Sequence, residues 1–163
     1  MLSKTMKEAL NAQINAELWS AYLYLSMSAH YASEGLSGFA NWFRVQAKEE
    51  EEHAMKIFDY VISRGDKVFL QPIEKVTLSW ESPLLAFEDT LEHEKEVTAM
   101  IHNLVTLANE EKDYATASML QWFVDEQVEE EDIAQGYVDK LKLIGGNNLG
   151  IYMLDKELSK RED

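Results

Sequence analysis

Four stretches of the chain repeat apolar residues at the 3.6-residue spacing of a helix, and each stripe is broken near its middle by a polar side chain. The first stripe runs Met6, Leu10, Ile14, Glu17, Ala21, Tyr24. The second runs Phe39, Phe43, Ala47, Glu50, Ala54, Ile57, Val61, with His53 one turn beyond Glu50. The third is Phe87, Leu91, Glu94, Thr98, Ile101, Val105, and the fourth Leu120, Phe123, Gln127, Glu130, Ala134, Tyr137, Leu141. This pattern predicts helices over roughly 5–34, 39–64, 83–111 and 115–144, each on the order of 45 Å long at 1.5 Å per residue. A short fifth helix is expected over about 149–158.

The punctuation between stripes sets the topology. Gly35 and Gly38 bracket the first break, with Ser37 as a candidate N-cap. Gly65 ends the second helix, and Ser82-Pro83 starts the third with a capping hydroxyl followed by proline at the first helical position. A short break near Lys112 to Tyr114 separates the last two long helices, and Gly145-Gly146 closes the fourth. Tight turns therefore join the helices into two antiparallel hairpins. Asp66 to Ser82 contains Pro72 and no helical period, so it reads as an extended link, long enough to travel from one end of a bundle to the other. The expected fold is all-α, one domain over 1–163: a four-helix bundle with a long crossover between helices two and three.

A carboxylate buried without a partner gives up its charge unless a cation lies beside it. One glutamate in an apolar stripe ordinarily tilts to the surface. Four polar interruptions at one height are harder to place that way, because helix midpoints meet whichever direction each helix runs. Glu17, Glu50, Glu94, and Gln127 with Glu130, are thus expected in a single layer. Glu50 and His53 are three residues apart, share a helix face and can bind one ion. Carboxylate oxygens with one imidazole suit iron or manganese, and a chain without cysteine has no thiolate zinc site or iron–sulfur cluster.

The formal charge of −15 argues against nucleic acid, whose phosphates need lysine and arginine. It fits a solvated acidic surface and equally a protein that attracts cations. The chain has no apolar run long enough to cross a bilayer, and MLSKTMKEALNAQ lacks the pattern of a secretory signal. A cytoplasmic location is the expectation, with no membrane partner.

On these residues the chain resembles the non-haem ferritins of bacteria and archaea, over essentially its whole length, including the crossover and the short last helix. The resemblance implies a ferritin-like bundle and a two-iron ferroxidase centre. Glu17, Glu50 and His53 would hold one iron; Glu50 would bridge to a second held by Glu94 and Glu130, with Gln127 beside it. Glu49, Glu126 and Glu129, sharing Glu130, match a third iron position; read without the resemblance they are a solvated acidic face. Tyr24 matches a tyrosine beside the centre and is either an electron donor or a hydrogen-bonded core tyrosine. Trp122 matches a nearby tryptophan and is otherwise a packing residue. The haem-bearing relatives carry a second E-x-x-H where this chain has Gln127-x-x-Glu130, and a haem-ligating methionine where it has Glu51, which argues against haem.

The implied activity is oxidation of Fe(II) by O₂ or H₂O₂, followed by storage of ferric oxide in a shell of 24 identical subunits. The first helix adds support for association, since Trp19, Tyr22 and Leu23 lie opposite its core stripe and suggest a contact between subunits. His30, His93 and His102 fall outside the ligand stripes and read as surface or interface residues. Two other functions use the same residues: a di-iron peroxidase or oxygenase, and a non-catalytic bundle that buffers metal.

Overall fold

The computed structural model describes residues 1–163 and is entirely helical. Its elements are α1 (Lys4–Ser33), α2 (Ser37–Ser63), α3 (Pro83–Glu110), α4 (Tyr114–Ile144) and α5 (Asn148–Leu158). Every long helix falls within about two residues of its expected span. The α1–α2 and α3–α4 hairpins are the most extensively packed pairs, and α5 lies against α2 and α4. Residues 66–80 form neither helix nor strand and make the crossover.

Local chemistry accounts for most of the helix ends. Ser82 accepts from the backbone N–H of Leu85, with Pro83 at the first helical position. Asp113 caps α4 through Thr116, and Gly145 ends that helix in the left-handed conformation at φ 62°. The start of α2 departs from expectation. Ser37 is inside the helix, and Leu36 at the cap position has no side chain to offer. The backbone N–H of Phe39 instead donates to Asp155 Oδ1 at 2.9 Å, so a carboxylate of α5 does the capping. Gly38 permits this contact, because a Cβ there would stand 1.7 Å from the Asp155 carbonyl oxygen.

The apolar core has two parts. One contains Tyr24, Tyr31, Phe39, Trp42, Phe43, Phe87, Val138 and Leu154. The other contains Met6, Leu10, Ile14, Ile57, Val61, Ile101, Leu120 and Phe123. In each long helix the two parts are separated by the same residues that break the stripes: Glu17 in α1, Glu50 and His53 in α2, Glu94 in α3, Gln127 and Glu130 in α4. All of these are buried. The bundle is two hydrophobic halves with a polar layer between them.

The crossover corrects one expectation about α1. Trp19 donates from Nε1 to the Lys75 carbonyl at 3.4 Å, Asn15 reaches the carbonyls of Gln71 and Pro72, and Ser26 Oγ donates to the Thr77 carbonyl at 2.6 Å. Leu23 is buried and Trp19 half-buried within the single chain. The link of this chain reaches Trp19, and Leu23 packs into the core, where a second subunit was expected against both. Tyr22 alone of the three remains exposed.

Candidate metal centre

The polar layer converges on a small volume. Glu17, Glu50 and His53 place one ligand atom each within 4.8 Å of one another, as do Glu50, Glu94 and Glu130, and a third group of His53, Glu126 and Glu130. Glu50 belongs to the first two groups and is positioned to bridge them. His53 Nδ1 lies 3.3 Å from Glu50 Oε2, as the i, i+3 spacing demands.

Neighbouring amides and hydroxyls hold these carboxylates in place. Gln13, one turn before Glu17, donates from Nε2 to Glu17 Oε1 at 2.9 Å. Gln46, one turn before Glu50, donates to Glu130 Oε2 at 2.8 Å and to Glu50 Oε1 at 3.3 Å. The Tyr24 hydroxyl donates to Glu94 Oε1. Gln127 turns its amide nitrogen toward Glu94, donating to Oε2 and to the main-chain oxygen, both at 3.1 Å. In this arrangement Gln127 positions Glu94. One atom is left over: Glu17 Oε2 is buried without any hydrogen-bond partner. A bare carboxylate oxygen buried among other carboxyls is costly and chemically suited to a cation.

The electrostatics carry the same sense. Burial pushes the Glu17 carboxyl up despite the opposing bond from Gln13. Burial, then repulsion from Glu94, pushes Glu50 well above the carboxylate range. Burial raises Glu94 against the hydrogen bond from Tyr24, and raises Glu130 to about 8 with Glu94 again repelling. Burial and the adjoining Glu94 raise the Tyr24 hydroxyl. Four carboxyls crowded in one dry layer cannot all ionise until positive charge joins them. These donors, four carboxylates and an imidazole, are hard oxygen and nitrogen ligands of the kind that hold iron or manganese.

The flanking acids reach outward. Glu126 Oε1 is 3.7 Å from His53 Nε2, whereas Glu129 is exposed and Glu49 is paired with Arg161 at 2.7 Å. The Trp122 and His53 rings meet nearly at right angles with centroids 5.4 Å apart, and the Lys56 ammonium sits 4.1 Å from the Trp122 ring centre. A surface groove of 460 Å³, lined by Glu49, Glu52, His53, Asp59, Trp122 and Glu126 among others, leads from solvent to His53.

Residues 7–144 match the model of the ferritin-like domain. Over 99% of its length the chain is 46% identical to the bacterial non-heme ferritin of Bacteroides fragilis, and 44% identical to that of Staphylococcus epidermidis, covering 100% and 97% of those proteins. The chain belongs to the ferritin family. Among solved structures it is 55% identical to an open pore ferritin from the hyperthermophilic archaeon Archaeoglobus fulgidus, with a TM-score of 0.98 over 99% of this chain and 100% of that one. A humanized archaeal ferritin is 57% identical with the same TM-score. The likeness is to non-haem ferritins, and the fold is the ferritin four-helix bundle with a short C-terminal helix.

Two features of the site escaped the sequence reading. Gln13 and Gln46 each stand four residues before a stripe glutamate, a spacing that places an amide beside the carboxylate, and this signal was available. His93 was expected at the surface or at an interface. It is buried, 2.7 Å from Ser20 Oγ and against the rings of Trp19 and Tyr24, and burial lowers its pKa to about 4. A neutral imidazole beside a hydroxyl is a satisfied core residue. His102 is exposed and His30 half-buried, both outside the layer.

Proposed function

We propose that this chain is an iron-storage ferritin whose polar layer oxidises Fe(II), with Glu17, Glu50 and His53 holding one iron and Glu50, Glu94 and Glu130 the other. The observation that carries the reading is the layer itself: four buried carboxyls with raised pKa values, one imidazole, and the unpartnered Glu17 Oε2. Bound Fe(II) displaces protons from the carboxyls, and the anionic oxygens then stabilise Fe(III) more than Fe(II). Each iron gives one electron. Two together reduce O₂ with two protons to H₂O₂, or H₂O₂ with two protons to water. Glu50 couples the pair as bridge, Gln46 and Tyr24 keep the carboxylates aimed inward, and Gln127 fixes Glu94. Glu126, with Glu49 and Glu129, lines the way out between α2 and α4 and supplies a third iron position.

Storage requires a container. A groove of 530 Å³ on the α1–α2 face, lined by Leu18, Tyr22, Leu25 and Val45 among others, suits a second copy of the chain. Leu149, Tyr152 and Met153 are exposed on α5 and suit contacts around an axis. We take the assembly to be a 24-subunit shell. No helix is long and apolar enough to cross a membrane, and a cytoplasmic setting fits.

Aerobic addition of Fe(II), followed by measurement of particle mass and iron content, tests this. The expected result is a shell of several hundred kilodaltons holding far more iron than its ligands can bind. A monomer or dimer that takes up only about two or three irons per chain would refute storage and favour a soluble di-iron enzyme or a metal buffer.

A further inference from the structure

The residues after α5 fold back onto the metal layer. Asn41 Nδ2 donates to the main-chain oxygens of Leu158 and Arg161, at 3.4 and 3.0 Å, which lays the terminal segment along α2. The Arg161 guanidinium stacks over the Trp42 ring at 4.3 Å, and Nη1 donates to the Trp42 carbonyl at 3.3 Å. Its Nη2 donates to Gln46 Oε1 at 2.9 Å and to Glu49 Oε2 at 2.7 Å. Gln46 therefore has its oxygen committed to Arg161 and its nitrogen to Glu130 and Glu50. A flipped amide would face nitrogen against guanidinium and oxygen against two carboxylates, so Arg161 fixes the orientation of Gln46.

The same arginine bears on the outer cation position. His53, Glu126 and Glu130 already gather their ligand atoms within 4.8 Å, and Glu49 lines the same groove as His53 and Glu126. A cation entering that group gains from Glu49 only when Glu49 is free. Arg161 supplies a built-in positive charge at that carboxylate through one charge-assisted hydrogen bond from Nη2.

We propose that Arg161 is a positioning residue for the centre: it locks Gln46 against Glu50 and Glu130, and it competes through Glu49 with a divalent cation in the His53–Glu126–Glu130 group. The C-terminal segment would then set how long an ion stays on its way outward. This rests on the reading that the polar layer binds iron, and the experiment separates the two.

Zn(II), and Fe(II) without oxygen, are titrated calorimetrically into the assembled full-length protein, and the outer step is defined as the one lost in Glu126→Gln. In Arg161→Gln the outer step is expected to tighten about three- to fivefold, the upper part of the range for removing a half-exposed ion pair that competes for the site. Arg161→Lys, which retains the charge at Glu49, is expected to restore it to within about twofold of the parent, and in a Glu49→Gln background Arg161→Gln should no longer tighten it. An outer step unchanged or weakened in Arg161→Gln, a tightening that persists in the Glu49→Gln background, or failure of lysine to restore it, would each overturn the proposal while leaving the iron centre standing. If Glu50→Ala leaves every binding step unchanged, both readings fall.

Discussion

Replacing Glu130 by Gln should flatten the pH dependence of stability in the ion-free protein. Burial and the neighbouring Glu94 raise the Glu130 carboxyl from 4.5 to about 8 in the folded chain, whereas the unfolded chain leaves it near its ordinary value. Between those two pH values the folded state keeps a proton that the unfolded state has released. Stability therefore falls as pH rises: the favourable contribution is full below the unfolded value and gone above about 8. The gap of about 3.5 pH units, at about 1.4 kcal/mol per unit, is on the order of 5 kcal/mol, with a slope of at most about 1.4 kcal/mol per pH unit for one proton. Glutamine is nearly isosteric and neutral, and its carbonyl oxygen can still accept from Gln46 Nε2, which lies 2.8 Å from Glu130 Oε2. Guanidinium unfolding of ion-free protein at a fixed subunit concentration, followed by circular dichroism from about pH 5 to 8, measures the slope directly. The parent should lose stability across this range and Glu130→Gln should lose less of it. Divalent ions should reverse the loss, because they bind the deprotonated layer. In an unbuffered titration at about pH 7, Zn(II) should release close to one proton fewer from the variant. Equal slopes in the two proteins, or a parent that gains stability between pH 5 and 8, would show that Glu130 is not held neutral in the layer.

The other predictions concern ligands and helix ends. Glu17→Ala and His53→Ala should each slow the first phase of Fe(II) oxidation by at least about tenfold while circular dichroism and particle size stay at parent values, since neither side chain belongs to the two apolar halves that hold the bundle together. Parent-like initial rates in both would rule out the ligand assignment. Gly38→Ala should push α5 away from α2, because its Cβ meets backbone at 1.7 Å; a loss of about 1–3 kcal/mol and faster proteolysis after Ile144 are expected. A parent-like melting temperature with α5 still protected would contradict that docking. Ser82→Ala removes the hydroxyl that accepts from Leu85 N–H and should cost about 1 kcal/mol, readable in the same unfolding assay.

The parts of this molecule legible in the sequence are those carried by local period. Glu17, Glu50, Glu94, Gln127 and Glu130 interrupt stripes of fixed spacing, and their common height follows from helix length alone, so the layer was visible before any contact was known. Contacts between distant segments were not visible. Ser37 looked like the cap of α2 because it is the right residue type beside the right break, yet the capping atom belongs to Asp155, 116 residues from the Phe39 N–H that it accepts from. Trp19 has the look of a subunit contact because no local pattern announces that residues 66–80 will lie over α1. His93 follows the same logic: one position off the ligand stripe, it had no visible partner until α1 brought Ser20 within 2.7 Å. Arg161 is the strongest case, since nothing in its neighbourhood of Lys160 and Glu162 distinguishes it from a solvated terminal charge. Helical period identified the residues facing the centre, but the groups that orient them came partly from the ends of the chain. Period alone therefore finds the buried carboxyls and misses the groups that orient them. Gln46 joins the two levels. It stands one turn before Glu50, where the helical period can find it, and it passes the position of a distant arginine to two carboxylates of the layer.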